Sequence, residues 1–223
     1  MAQASVDGVF SKTATSNTNN IVSISVDGLA SVPNDLAIVT AGGFNFVNFA
    51  GQAPDASWTA LGGAFQKILS AAGALTVTQA LSGSFTAAQL LALFKTVPGM
   101  TPVFTVRGSG SGGSVLTSNP TTFTPAAGNS LLWMCCQVAQ FPNTTSFVPG
   151  FDGGLNWVLL ANVGTDDGQT HPISMLMWYA ENVPANPVTL RLNVGNGGTW
   201  RLVEISNLLF ASLRLLDSLG VGI

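Results

Sequence analysis

The sequence predicts an all-β protein: two tandem antiparallel β-sandwich domains, jelly-roll or immunoglobulin-like, with an extended N-terminal arm and a short C-terminal tail. Three observations lead there. Short runs rich in β-branched and aromatic residues recur between Gly, Asn, Pro and Asp turns. None of these runs sustains a helical stripe, and the order of elements in the first half returns in the second.

In chain order, residues 1–20 carry almost no core-forming pattern after Phe10 and end in Thr13-Ala-Thr-Ser-Asn-Thr-Asn-Asn20, which reads as an arm. Residues 21–97 form the first expected sandwich, with strands at Ile21 to Val26, Leu36 to Thr40 and Leu75 to Leu81. Within it, Phe85 to Lys95 is rich in Ala and Leu, so propensity alone allows a helix there as well as a strand. Residues 98–119 are expected to be a linker, or alternatively a long exposed loop of one continuous domain: Val97-Pro-Gly-Met-Thr-Pro closes the first half and Gly108-Ser-Gly-Ser-Gly-Gly-Ser has flexible composition. Residues 120–209 form the second sandwich, with strands at Leu131 to Val138, Trp157 to Ala161, Ile173 to Tyr179, Val188 to Val194 and Trp200 to Ile205. Residues 210–223 are the tail, and from Leu208 onward the apolar spacing suits docking onto a neighbour.

The internal repeat ties these elements together. Pro33-Asn-Asp-Leu-Ala-Ile-Val matches Gly128-Asn-Ser-Leu-Leu-Trp-Met, Trp58-Thr-Ala-Leu matches Trp157-Val-Leu-Leu, and Ile68 to Leu81 parallels Trp178 to Val194. Phe85 then falls opposite Trp200, and Gln89 opposite Glu204. The growing offset between matched positions is what insertions confined to turns produce.

Composition narrows the function. Only 8% of residues are charged, against about 25% in ordinary soluble domains. So little charge is unusual for a free monomer and points to surfaces covered by partners, with a homo-oligomer expected; the alternative is a secreted β-domain with a Ser/Thr-rich face. The seven basic residues, Lys12, Lys67, Lys95, Arg107, Arg191, Arg201 and Arg214, are scattered singly, so no nucleic-acid footprint is expected. The longest apolar-rich run, Leu131 to Phe141, is far shorter than the ~20 residues of a membrane-spanning helix, so no membrane partner is expected. Met1 to Asp7 lacks the basic and apolar regions of a secretory signal, which predicts folding in the cytoplasm. Cys135 and Cys136 are neighbours that a strand would point to opposite faces, so they cannot staple distant segments.

Catalytic and metal-binding patterns are not found, so no enzyme activity, cofactor or metal is expected. His171 is the sole histidine and precedes Pro172 in a turn; a dyad with either cysteine has no motif behind it. Gly108, Gly110 and Gly113 spell a GxGxxG that opens no helix, so linker is the better reading than phosphate cradle. Asp166-Asp167-Gly168 and Asp152-Gly-Gly lack calcium-loop spacing and read as turns. Glu204 is the one carboxylate in mid-strand beside an aromatic, and its match to Gln89 argues for a structural polar position. Trp58, Trp133, Trp157, Trp178, Tyr179 and Trp200 are placed in the core by their alternation, although any that is exposed can stack on a sugar ring.

From Phe123 to Leu208, Pro125-Ala-Ala-Gly-Asn-Ser-Leu-Leu, Asn156-Trp157, Met177-Trp-Tyr-Ala-Glu-Asn-Val183, Val188-Thr-Leu-Arg-Leu and Val203-Glu-Ile-Ser-Asn-Leu208 resemble a β-sandwich module of bacteriophage virion proteins and some bacterial surface proteins. Ile205-Ser-Asn stands where that module has Tyr-Ser-Gly. The resemblance implies a virion structural component, a capsid decoration, head-fibre or tail-associated protein, whose partners are other virion proteins. The alternative it leaves is a carbohydrate-binding or adhesin module for host-surface glycans.

Overall fold

A computed structural model describes residues 6–14, 21–31, 35–43, 48–49, 51–71, 73–81, 87–112, 121–137, 150–152, 155–165, 173–191 and 198–209. These contain no helix. The strands of the first half are β1 (Val6–Ala14), β2 (Ile21–Ser31), β3 (Leu36–Gly43), β4 (Asn48–Phe49), β5 (Thr59–Ala60), β6 (Phe65–Ile68), β7 (Gly73–Ala80) and β8 (Ala87–Phe94). Those of the second half are β9 (Phe104–Gly112), β10 (Thr121–Phe123), β11 (Ser130–Gln137), β12 (Gly150–Asp152), β13 (Val158–Thr165), β14 (Ile173–Ala180), β15 (Val188–Arg191) and β16 (Gly198–Ile205).

Every ladder is antiparallel. The two large sheets run β1-β8-β3-β6-β5 and β9-β16-β11-β14-β13, and the small sheets contain β2-β7 and β10-β15. The second half thus repeats the wiring of the first, strand for strand, in chain order. Only the short strands depart from it: β4 pairs with β3, whereas β12 pairs with β15.

Side-chain alternation shows how the sheets stack. Leu36 and Ile38 of β3 and Leu90 and Phe94 of β8 enter one core with Leu132 and Met134 of β11, Met175 and Tyr179 of β14, and Val203 and Ile205 of β16. The large sheets therefore face each other, and the Phe94 and Tyr179 rings meet across the join, tilted 45° with centroids 5.4 Å apart. The intervening residues point outward. Ala37, Val39, Leu91 and Leu93 pack under Val77 of β7, while Leu131, Trp133 and Leu202 pack under Phe123 of β10. The result is a stack of sheets with three apolar interlayers, and all eight residues of β8 are buried.

This packing explains where the structure departs from the sequence reading. Val6–Ala14, in the stretch expected to be an arm, is β1, an edge strand on β8. Phe104–Gly112, in the expected linker, is β9, paired along its length with β16. Ala87–Phe94 is a strand because β1 and β3 flank it and both its faces are covered, a tertiary demand that outweighs the helix propensity of Ala and Leu. The halves do not separate at residues 98–119, since the largest core draws on both. Residues 210–223, the expected tail, lie outside the described residues.

The residue-level matches also shift. Gln89 faces Ala41, well inside β3, whereas Glu204 faces Leu131, near the start of β11. Leu36 looks into the core between the large sheets, but its match Leu131 looks the other way. A strand apolar on both faces carries no alternation to set its phase, so a one-residue slip goes unnoticed in the sequence.

Candidate functional site

Buried polar groups are few enough to trace to their partners. Glu204 is 2% exposed, and three donors converge on it: Arg107 Nε at 2.5 Å, the Ala126 N–H at 2.8 Å and Asn129 Nδ2 at 2.6 Å. Arg107 also lies over the Phe123 ring, 5.8 Å from its centroid. The carboxylate thus ties edge strand β9 and the segment between β10 and β11 to β16. Three donors on its two oxygens make Glu204 a structural anchor for these segments. On the opposite side of the stack, Gln89 Nε2 donates to Gln79 Oε1 at 3.0 Å, and Gln79 Nε2 donates to the Gln52 carbonyl at 3.0 Å. Arg201 reaches from the second half to donate to the Gly62 carbonyl in the first, and desolvation lowers its pKa.

A surface cleft of about 570 Å³ opens where β13 begins and β14 ends. Asn156, Trp157 and Val158 form one wall, and Glu181, Asn182 and Pro184 the other. The β13–β14 ladder, with Val158 opposite Tyr179, brings these two segments together. Asn182 takes φ 51°, a left-handed conformation that asparagine tolerates better than most residues. The floor is pinned from behind: Val183 N–H donates to the Asn129 carbonyl at 2.9 Å, and Gly128 N–H donates to the Val183 carbonyl at 3.0 Å. Asn129 is the same residue that donates its side chain to Glu204. The buried ion pair and the cleft therefore share one support.

Of the residues singled out in the sequence, Trp157 and Tyr179 line this cleft, and the others that the structure describes fall elsewhere. Trp133, Tyr179, Trp58 and Trp200 are buried, while Trp157 and Trp178 are half-buried against the outer core of the second half. Lys67 sits over the Trp58 ring at 5.9 Å. Cys135 and Cys136 are free thiols pointing into different cores, and burial pushes Cys136 up to about 12 and Cys135 well above its ordinary value. Gly108 and Gly110 lie within β9, where extended backbone replaces the loop a phosphate cradle requires. His171, Asp166, Asp167, Gly168 and Arg214 lie outside the described residues. Among the described residues, no group of three or more His, Cys, Asp or Glu side chains is placed to hold a metal ion. No helix there is long and apolar enough to cross a membrane.

Fold and cleft together define an all-β protein of stacked antiparallel sheets with a surface cleft of mixed polar and apolar lining. No protein-family model matches the chain, and comparison with curated proteins and with solved structures likewise found no match.

Proposed function

We propose that the chain is a structural subunit of a bacteriophage virion, a capsid decoration, head-fibre or tail-associated protein that folds in the host cytoplasm. It acts through contacts with other virion proteins and with copies of itself, and catalyses nothing. Its architecture, on this reading, is a duplicated sandwich whose two large sheets pack face to face.

One observation carries the reading: the exposed positions described on β7 and around the start of β9 are uncharged. The outward row of β7 is Ala74, Thr76, Thr78 and Ala80. Along the stretch entering β9, Met100, Val103 and Val106 are 52%, 60% and 50% exposed. Neighbouring Thr101, Thr105 and Ser109 are exposed as well. Covering apolar surface contributes about 25 cal/mol per Å², and a standard protein interface buries about 1,600 Å². The resemblance of residues 123–208 to a virion module gives the same direction.

The test is light scattering on the purified chain, followed by cosedimentation with virions of the source phage. Self-association that drops on replacing Val103 and Val106 with Lys supports the proposal. A chain that stays monomeric over the accessible concentration range and does not sediment with particles refutes it.

A further inference from the structure

We propose that two copies of this chain join through β9, each β9 lying antiparallel to the other about a two-fold axis between Arg107 and Gly108. The inference rests on the self-association in the assembly reading and names its contact.

β9 is the last strand of its five-stranded sheet, and among the described residues it pairs with β16 alone. Edge strands that stay single are commonly blunted by exposed charge, lysine above all. β9 carries one charged residue, Arg107, and it is turned onto Glu204 and the Phe123 ring. The edge shows solvent Thr105, Val106 and Ser109, and Val103 just ahead of it is 60% exposed.

The strand's own sequence selects a second copy as the occupant. Its first part, Phe104-Thr-Val-Arg107, is bulky, and the rest, Gly108-Ser-Gly-Ser-Gly112, is small. Turned end for end, bulky residues meet small ones. Opposed residues must also point to the same face of the joined sheet, and a bulge supplies that phase. Against β16, Thr105, Gly108 and Gly110 oppose Glu204, Leu202 and Trp200, whereas Val106 and Ser109 oppose Val203 and Arg201. Arg107 is the extra residue, so Val106 and Ser109 share one face although they are three positions apart. The two-fold then sets Val106 of each copy against Ser109 of the other, and Thr105 against Gly110. Each Arg107 stands opposite a Gly108, its charge already balanced by Glu204. Such a pair closes on itself and leaves no β9 edge for a third copy.

The test mixes two single variants of the whole chain, Val106→Cys and Ser109→Cys, under mild oxidation. Both positions are exposed, so the fold should survive, and circular dichroism checks it. Directly opposed residues lie about 4.5–5.5 Å apart between Cα atoms, within disulfide reach. Two copies of position 106, or of position 109, stand three residues out of register, about 10 Å along the strand and beyond that reach. A cross-linked dimer should therefore form in the mixture and from neither variant alone. Cys135 and Cys136 are buried and do not compete. The unaltered chain gives a second reading: exchange of the outward β9 amides should slow as concentration rises, because so short a ladder belongs to the weak class of interface. Cross-linking in the mixture alone, with slowed exchange, supports the pairing. No cross-link from folded variants, equal cross-linking in all three samples, or exchange independent of concentration overturns it. A chain that associates without these signs loses this proposal and keeps the assembly reading; one that stays monomeric and does not sediment with particles loses both.

Discussion

Replacing Glu204 tests the most consequential polar contact in the fold. Its carboxylate receives Arg107 on one oxygen and Ala126 N–H with Asn129 Nδ2 on the other. Glu204→Gln keeps the shape but can keep only one oxygen. If that oxygen stays with Ala126 and Asn129, the new amide N–H₂ faces the guanidinium, donor against donor. Arg107 is 30% exposed and can turn to water, so the loss is that of a charge-assisted hydrogen bond, about 1.5–3 kcal/mol. Glu204→Ala strands two further donors and opens a hole, so it should cost about 3–5 kcal/mol. For a domain of this size each kcal/mol lowers Tm by about 2–4 °C. Urea unfolding is the assay, read as a fall in midpoint at constant slope. Adding Arg107→Ala to Glu204→Gln should cost less than the sum of the two single changes, since both break one contact. If Glu204→Gln unfolds within about 0.5 kcal/mol of the parent, the carboxylate does not anchor these segments, the margin being that of an ordinary surface substitution.

Four more outcomes follow from the same geometry. Gly110→Ala should destabilise by about 1–3 kcal/mol in urea unfolding, because a Cβ there would lie 2.5 Å from Nε1 of Trp200, a rigid ring only 6% exposed. Tyr179→Phe should cost about 1–2 kcal/mol in the same assay, since it removes the 2.8 Å hydrogen bond to the Ser130 hydroxyl while leaving the ring contact with Phe94. The thiols should resist Ellman's reagent at pH 8 and react fully once unfolded, because both cysteines are buried. Cys136 also gives a pH dependence. Unfolded, it loses its proton near its ordinary value of 9.0, but folded it keeps it up to about 12. In that window the folded chain holds the extra proton, so stability is full below 9 and falls as pH rises, by about 1.4 kcal/mol per unit for one thiol. Cys136→Ala should flatten that fall; an unchanged slope would show that other groups govern it.

Much of the fold was legible because strands of this kind advertise themselves. Leu75 to Leu81 alternates, its exposed Thr76 and Thr78 flanking buried Val77, and the structure puts β7 there. The adjacent cysteines also behave as a pleat requires, one in each core. What stayed hidden depended on contacts far apart in sequence. β9 carries Gly108, Ser109, Gly110, Ser111 and Gly112, a composition that says linker; it is a strand because β16 supplies a full ladder and Trp200 needs a neighbour without a side chain. The cleft was equally hidden, since Asn156 and Trp157 meet Glu181 and Asn182 only through the β13–β14 pairing. A signal did exist in Glu181-Asn182 ahead of the Pro184-Ala-Asn-Pro turn, where a polar pair stands at the end of an otherwise apolar strand.

The charge deficit has two physical sources, and the layers separate them. The central strands β3, β8, β11 and β14 are covered on both faces by other sheets of the same chain, so burial disfavours charge there whatever binds outside. That part of the 8% says nothing about partners. Only the remaining positions, those that solvent reaches in the isolated chain, bear on assembly. On β7 and around the start of β9 those positions hold Ala, Thr, Ser, Val and Met, where a free monomer has room for Lys or Glu at little cost. Charging these rows therefore discriminates between the two sources. Thr76→Lys with Thr78→Lys should leave urea unfolding of the isolated chain unchanged within about 0.5 kcal/mol, since neither side chain faces a core. If the outer rows are contact surfaces, the same pair should abolish self-association or particle binding; if both persist undiminished, this row is not the contact surface.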